Sequence, residues 1–244
     1  MASDPFIEHA NPLSDRVTVP ASEYDYNQLA DVYNQTRVDY IVPMPMNGKR
    51  MGEYIRNYDI DLDASVVVNA PDGEPLGIGM IAFREDRAWI TRLGITNASR
   101  GKRVGQFVME MLIAQAEGRR CRRVQLEVIV GNDPAINMFA KLGFKEHRRL
   151  LVIRRPPGKL GEDQQCEPCE VNELYDGQIP YYLEQREPGA AWLEETPSLL
   201  NTKALRGVEV KLNDTHKKGW LVFQRSPFQL THFVFNSDVT VPVA

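Results

Sequence analysis

A short run of glycine and basic residues, Arg100–Gly105, has the composition of an anion-binding turn. The residues before it, Ala88–Ile95, are typical of a strand, and Val104, Val108 and Leu112 recur after it at helical spacing. The N-terminus of a helix presents free backbone N–H groups and the positive end of the helix dipole, and glycine lets that backbone approach a bulky anion. The run therefore predicts a strand-to-helix turn that binds a pyrophosphate, although a plain surface turn can have the same composition.

A second stretch lies downstream. Asn132-Asp133-Pro134-Ala135 opens another helix, and Lys141-Leu142-Gly143-Phe144 closes it with a glycine at the C-cap. In this order, the two stretches resemble the motifs of the GNAT superfamily of N-acetyltransferases. The first is similar to that family's acetyl-CoA motif, usually Arg/Gln-x-x-Gly-x-Gly/Ala, and the second to its Asn-x-x-Ala-x-x-Leu-Tyr-x-x-x-Gly-Phe motif. The resemblance extends from roughly Val17 to Pro156, and it implies acetyl-CoA as co-substrate without a metal.

The predicted elements follow the order of that family: a strand, two helices, three antiparallel strands, a helix, a strand, a helix and a strand. We expect an α/β fold with a mixed, mostly antiparallel central sheet and helices on both faces. Ser22 or Asp25 can cap the first helix. The main expected segments are a helix at Gly48–Tyr58, strands at Ser65–Asn69, Leu76–Arg84 and Ala88–Ile95, a helix at Arg100–Glu117, a strand at Val124–Val130, a helix at Pro134–Lys141 and a strand at Leu150–Arg154.

The resemblance also implies where the coenzyme binds. In the family, the sheet splays between the strands that correspond to Ala88–Ile95 and Val124–Val130, and the pantetheine arm lies in the gap. The residues implied in coenzyme binding are Leu93, Gly94 and Ile95 for pantetheine, Arg100, Gly101, Lys102, Arg103, Val104, Gly105 and Gln106 for the pyrophosphate, and Asn132 and Phe139 from the second motif. Arg103 replaces the first glycine of the family motif. A long side chain there can obstruct the turn or add a guanidinium to the phosphates, and we favour the second.

Acetyl transfer needs a neutral amine, so a base must take its proton, directly or through water. Glu127 is the candidate, because related enzymes that acetylate protein N-termini have a glutamate base at the matching place. If Glu127 points into the gap, burial raises its pKa towards the useful range; the alternative is a surface ion pair with an arginine. Two departures weaken the catalytic interpretation: Thr91 replaces a frequent acidic residue, and Phe139 replaces a frequent tyrosine that protonates the thiolate.

In the family, the acceptor is contacted by the region of the first two helices, here Tyr24–Tyr58. Tyr26, Tyr33 and Tyr40 are candidates for lining that site, although such residues also serve as core. Two functions stay open at this stage. The first is an N-acetyltransferase acting on a small amine, an amino acid or a peptide, and the second is a non-catalytic acyl-CoA-binding module.

Composition narrows the class of protein. The 244 residues are 43% hydrophobic and carry a net charge of −4, which does not favour nucleic-acid binding. No apolar run has the length of a membrane span, and residues 1–14 are expected to form a flexible arm rather than a secretory signal. Three cysteines argue against a disulfide framework, so we expect a cytoplasmic protein. Cys166 and Cys169 form an isolated Cys-x-x-Cys, which we assign to a linker rather than to zinc.

The C-terminal part resembles the middle of the chain. Aligned without a gap, Gly79–Ile95 lies over Gly219–Phe235, with Phe83 over Phe223 and Thr91 over Thr231. No glycine-rich basic run follows, so we expect a coenzyme domain at 15–156, a linker at 157–170 and a smaller partial GNAT-like α+β repeat at 171–244. Such a half-unit must cover its apolar face by packing on the first domain or by forming a homodimer.

Overall fold

The computed structural model describes residues 16–40, 42, 44–153, 168–213, 217–226 and 229–238. The chain divides into two compact units, Met1–Gly143 and Phe144–Ala244. The arm expected at 1–14, Cys166 and most of the linker expected at 157–170 lie outside the described residues.

The first unit contains a five-stranded sheet in the order β1-β2-β3-β4-β5. Neighbouring strands are antiparallel except β4 and β5, which are parallel. This mixed, mostly antiparallel sheet with its helices confirms the predicted fold class. In chain order the elements are β1 (Val17–Pro20), α1 (Tyr26–Gln35), α2 (Gly48–Asn57), β2 (Ile60–Asn69), β3 (Pro75–Arg84), β4 (Arg87–Ile95), α3 (Val104–Gly118), β5 (Arg123–Gln125) and α4 (Asp133–Lys141).

Helices pack on both faces of this sheet. On one face, a Cβ at Gly79 of β3 would lie 2.6 Å from Val108 and 2.8 Å from Leu112, both in α3. On the other face, a Cβ at Gly94 of β4 would overlap the side chain of Thr36, at the end of α1. The missing side chains thus allow α3 and α1 to approach the two strands closely, and Val108 and Leu112 are fully buried.

The ends of the helices follow from local chemistry. Asp25 caps α1: its carboxylate accepts hydrogen bonds from the backbone of Asn27 and Gln28, and the Gln28 side chain accepts one from the Asp25 N–H. Between the two capping candidates, the structure therefore selects Asp25. The long helix α3 begins at Val104 and not at Arg100, because Gly101 and Arg103 adopt positive φ angles of 75° and 58°, which an α-helix cannot contain.

Two predicted strands are corrected. The strand expected at Val124–Val130 is reduced to Arg123–Gln125, and the strand expected at Leu150–Arg154 is absent over 150–153, with Arg154 outside the described residues. A strand needs a ladder partner for its backbone groups. Because β5 pairs with β4 over three residues and Leu151–Ile153 are exposed by 86–97%, the described part of the chain supplies no second partner for the residues after Gln125.

The second unit contains a four-stranded antiparallel sheet in the order β6-β7-β8-β9. Its elements are β6 (Cys169–Leu174), α5 (Ile179–Glu184), α6 (Thr196–Asn201), β7 (Leu205–Leu212), β8 (Lys218–Arg225) and β9 (Leu230–Ser237). Their order, a strand, two helices and three strands, is that of β1 to β4. The core consists of side chains from α5, α6 and the sheet, namely Ile179, Leu183, Leu199, Leu205, Trp220, Val222 and Val234.

Each unit has a β-bulge in its last hairpin. In the first, pairing shifts between Ile78 and Met80 of β3, and Arg92 of β4 has a φ of 51°. In the second, pairing shifts between Val222 and Gln224 of β8, and His232 of β9 has a φ of 55°.

These bulges test the gap-free alignment of the sequence. Thr91 and Thr231 occupy matching places beside the bulges, as that alignment has it. On the preceding strand, Val222 takes the place of Ile78. It lies four residues beyond the position that the gap-free alignment gives for Ile78. The alignment is therefore wrong for β8, because the second hairpin is shorter between its bulge and its turn.

Candidate active site

A cleft opens in the first unit where β4 and β5 separate. The parallel ladder joins Arg87–Trp89 to Arg123–Gln125 and ends there, whereas β4 continues to Ile95 with β3 on its other edge. The exposed edge of β4 beyond Trp89 offers unpaired backbone groups of the kind that bind an extended chain. The cleft has a volume of about 100 Å³ and is lined by Arg37, Tyr40, Ile90, Thr91, Arg92, Leu93, Leu126, Glu127, Val128, Asn132, Ala135 and Phe139.

Glu127 lies in this cleft, in the segment that follows β5. Its Oε2 accepts a 2.6 Å hydrogen bond from the indole N–H of Trp89, which is fully buried in β4. As a whole residue Glu127 is exposed, whereas its hydrogen bond to Trp89 is partly buried. The indole nevertheless sets its position, because Trp89 is fixed by ring contacts with Tyr54 and Tyr58 of the α2 region at 6.3 and 6.1 Å.

Thr91 and Phe139 occupy the places where the family often has an acidic residue and a tyrosine. The Thr91 hydroxyl lies 2.6 Å from the Tyr54 hydroxyl. Burial raises the pKa of Tyr54 far above its ordinary value, so this phenol stays protonated. Phe139 is buried in the wall of the cleft and supplies an aromatic ring without a proton.

Two arginines line the same cleft. Arg37 follows α1, donates a 2.8 Å hydrogen bond to the Leu93 carbonyl and lies over the Tyr40 ring at 4.0 Å. Arg92 donates a 3.0 Å hydrogen bond to the Tyr33 hydroxyl and lies over the Tyr54 ring at 3.9 Å. The aromatic faces and neutral oxygens hold both guanidiniums without neutralising them.

Sequence analysis did not single out Arg37 and Arg92. A signal for Arg92 was present, because two successive polar residues, Thr91 and Arg92, interrupt the apolar strand and such a break is typical of a bulge. Arg37 had no comparable signal, since an arginine just after a helix is usually solvated.

The predicted pyrophosphate cradle forms the N-terminus of α3. No side chain caps this helix among the described residues, so its first N–H groups remain available to a ligand. Gly101, Lys102 and Arg103 are exposed. Arg103 adopts the left-handed conformation that glycine adopts at lower cost, so the turn of the family motif persists despite the substitution.

Arg100 differs from its neighbours in the cradle. Its guanidinium donates two hydrogen bonds of 2.7 Å to the carboxylate of Asp39. These bonds hold the pKa of Asp39 below its ordinary value. The cradle is thus tied to the segment after α1 that also carries Arg37 and Tyr40.

The other predicted site residues occupy different environments. Gly105 lies in the first turn of α3, where a Cβ would meet Met138 at 3.2 Å and Ile95 at 3.4 Å. Asn132 and Tyr40 line the cleft. Tyr33 is fully buried, and Arg92 contacts both its hydroxyl and its ring. Tyr26 packs beside Gly52 of α2.

Two further classes of site were examined. Over the described residues, no group of three or more His, Cys, Asp or Glu side chains is arranged to hold a metal ion. No helix in the described part of the chain is long and apolar enough to cross a membrane.

Comparison with known proteins shows what these residues are similar to. Residues 29–144 match the acetyltransferase (GNAT) family. Over 71 residues the chain is 31% identical to mycothiol acetyltransferase of Jonesia denitrificans, a match that covers 29% of this chain and 23% of that protein. The chain thus matches less than a quarter of that relative's length.

Solved structures give a similar result. A candidate acetyltransferase from Pyrococcus horikoshii is similar over 88% of this chain and 73% of its own, with 14% identity and a TM-score of 0.52. Glucosamine-6-phosphate N-acetyltransferase from Arabidopsis thaliana is similar over 57% of this chain and 97% of its own, with 16% identity and a TM-score of 0.44. The first likeness concerns the fold and extends over most of the chain.

Proposed function

We propose that the protein is an acetyl-CoA-dependent N-acetyltransferase acting on a primary amine of a small molecule, an amino acid or a peptide, because residues 29–144 match the acetyltransferase (GNAT) family. The observation that carries this proposal is the position of Glu127, which lies in the cleft beside the unpaired edge of β4. A carboxylate there is suited to remove a proton from an acceptor amine in that cleft.

The residues present fit acetyl-CoA. The uncapped N-terminus of α3 with the exposed Gly101–Arg103 turn suits the pyrophosphate, and the unpaired edge at Leu93–Ile95 suits the amide groups of pantetheine. Arg37 already engages the Leu93 carbonyl, which retains a second lone pair for a ligand. The coenzyme supplies the acetyl group as a thioester.

The residues of this chain are responsible for removing the proton from the acceptor amine. The Glu127 carboxylate accepts a proton from the acceptor ammonium, directly or through water, and so frees the nitrogen lone pair. The nitrogen then bonds to the acetyl carbon as the carbon–sulfur bond breaks, and the second proton that this nitrogen loses on becoming an amide passes to water. Since Phe139 has no acidic proton, water supplies the proton taken up by the departing thiolate.

A non-catalytic acyl-CoA-binding module is the second candidate, and Phe139 and Thr91 favour it, because neither residue is the acid or carboxylate frequent in the family. Thiol release from acetyl-CoA, measured across a panel of amines, distinguishes the two. Amine-dependent release supports the enzyme. Binding of acetyl-CoA by calorimetry with no release from any amine supports the module.

We also infer that the second unit is a partial GNAT-like repeat. The matching order of its elements and the matching bulges at Arg92 and His232 support this interpretation. The described residues, which end at Asp238, include no counterpart of α3 after β9.

A further inference from the structure

The cleft of the first unit contains more positive charge than its described residues neutralise. Its lining includes two guanidiniums, Arg37 and Arg92, and one carboxylate, Glu127. Among the described residues, neither arginine forms an ion pair. The Nε atoms of both are buried without a hydrogen-bond partner. An unpaired buried donor of a charged group is costly, so both arginines are suited to gain an acceptor from a ligand.

Some other arginines of the same unit have carboxylate partners. Arg84 pairs with Asp59 at 2.6 Å, Arg100 with Asp39 at 2.7 Å and Arg119 with Asp61 at 2.6 Å. Over the described residues, the two cleft arginines have no partner of this kind.

The second unit offers an internal comparison. His232 occupies its bulge as Arg92 occupies that of the first unit, and the His232 Nδ1 lies 2.8 Å from the carboxylate of Glu194. The matching residue of the second unit therefore has an acidic partner. Arg92 instead contacts the neutral side chains of Tyr33 and Tyr54.

The backbone holds Arg92 in this position at a cost. A left-handed conformation is unfavourable for a residue with a side chain. Glycine is the usual residue at such a bulge. Strain of this kind persists where the surroundings impose it, and here the bulge directs a guanidinium to the cleft.

We propose that the acceptor amine carries an anionic group, a carboxylate in the first instance, which Arg37 and Arg92 bind while the amine faces Glu127. This inference rests on the proposed function and narrows its substrate to amino-acid-like acceptors. Planar guanidiniums bind a carboxylate through paired hydrogen bonds. The two cations also disfavour the ammonium form of the acceptor, which assists removal of its proton.

The test compares acceptors that differ in the group carried beside the amine: an amino acid, its amide, the corresponding decarboxylated amine and an aminoalkyl phosphate. The expected result is a kcat/KM for the amino acid at least about 10-fold above that for the amide and the amine, the size of one hydrogen bond to a charged group. A higher kcat/KM for the aminoalkyl phosphate than for the amino acid indicates that the bound anionic group is a phosphate. Equal values for the neutral and anionic acceptors overturn the inference and leave the acetyltransferase standing.

Substitutions of the two cleft arginines test whether they cause the preference for an anionic acceptor. Arg37→Gln and Arg92→Gln are expected to raise KM for the anionic acceptor by about 10- to 100-fold, and Arg92→Gln is expected to leave acetyl-CoA affinity unchanged. Arg92→Lys retains the positive charge but loses the planar guanidinium that forms paired hydrogen bonds. Its KM for the anionic acceptor is therefore expected to lie between those of the wild type and Arg92→Gln. Arg122→Gln, at an arginine whose side chain is 85% exposed and which does not line the cleft, is the control. A preference that survives in both glutamine variants contradicts the assignment.

Failure of the proposed function would be recognised separately. If no amine releases thiol, calorimetric titration of the amino acid into the full chain with CoA still measures the anion site. Binding that Arg92→Gln weakens supports the inference, and no binding of any anionic acceptor overturns it.

Discussion

The indole nitrogen of Trp89 lies 2.6 Å from the Glu127 carboxylate, and this hydrogen bond joins a buried residue of β4 to an exposed residue beyond β5. The two strands have already separated at this point, so the bond spans the opening of the cleft. A core side chain thus positions the group that we assign as the base.

Replacing Glu127 with glutamine is expected to lower kcat by about 10²- to 10⁴-fold, because glutamine cannot accept the proton of the acceptor. Glutamine keeps an oxygen that can accept the Trp89 hydrogen bond, so acetyl-CoA affinity and the unfolding midpoint should change little. Steady-state thiol release and calorimetry measure these quantities. Glu117→Gln, on the exposed surface of α3, is the control, and a kcat within a few-fold of the wild type would remove Glu127 from the mechanism.

At Gly105, two substitutions separate bulk from charge. Alanine should be accommodated, since the flexible Met138 side chain is the closest neighbour of the added Cβ. Aspartate should abolish acetyl-CoA binding, because it places a negative charge in the first turn of α3 beside the proposed pyrophosphate site. An acid in that turn does not destabilise the helix itself. Unchanged calorimetric affinity in Gly105→Asp would refute the cradle.

Arg103 allows strain and ligand binding to be measured in one residue. Arg103→Gly should raise the free energy of unfolding by up to about 1 kcal/mol, since relief of a left-handed residue exceeds the entropy that glycine gains in the unfolded chain. The same change should weaken acetyl-CoA binding and reduce its salt dependence, because an exposed guanidinium is lost. Denaturant unfolding and salt-dependent titrations test both effects. Tighter binding would show that Arg103 obstructs the site.

Asp39 makes stability depend on pH. Hydrogen bonds from Arg100 hold its folded-state pKa below the ordinary value of 3.8. A lowered pKa stabilises the folded state at neutral pH, and this contribution is lost as pH falls from the ordinary value through the folded-state value. Asp39→Asn should therefore be less stable than the wild type at pH 7, with the difference vanishing in acid.

Denaturant unfolding at several pH values measures this difference. Asp31→Asn is the matched control, because Asp31 is an exposed aspartate of α1 with no hydrogen bond or ion pair to the described residues. A stability difference for Asp39→Asn that does not depend on pH would contradict the role given to its pair with Arg100.

Local features of the chain were determined by the sequence alone. A cap of α1 at Ser22 or Asp25, a glycine-containing turn before α3 and most of the strand–helix order follow from residue types and spacing, because capping, turn formation and periodicity act over a few neighbouring residues. Glu127 was a candidate base through the resemblance to the family, which has a glutamate at the matching place.

Tertiary structure alone decided what surrounds the site. Residues 126–130 extend no ladder, because pairing depends on a partner distant in the chain. Arg37 and Arg92, 55 positions apart in the printed chain, meet in one cleft because a bulge redirects one and the end of α1 delivers the other. Whether a charge is neutralised depends on which side chains the fold brings near it, and spacing along the sequence does not specify that.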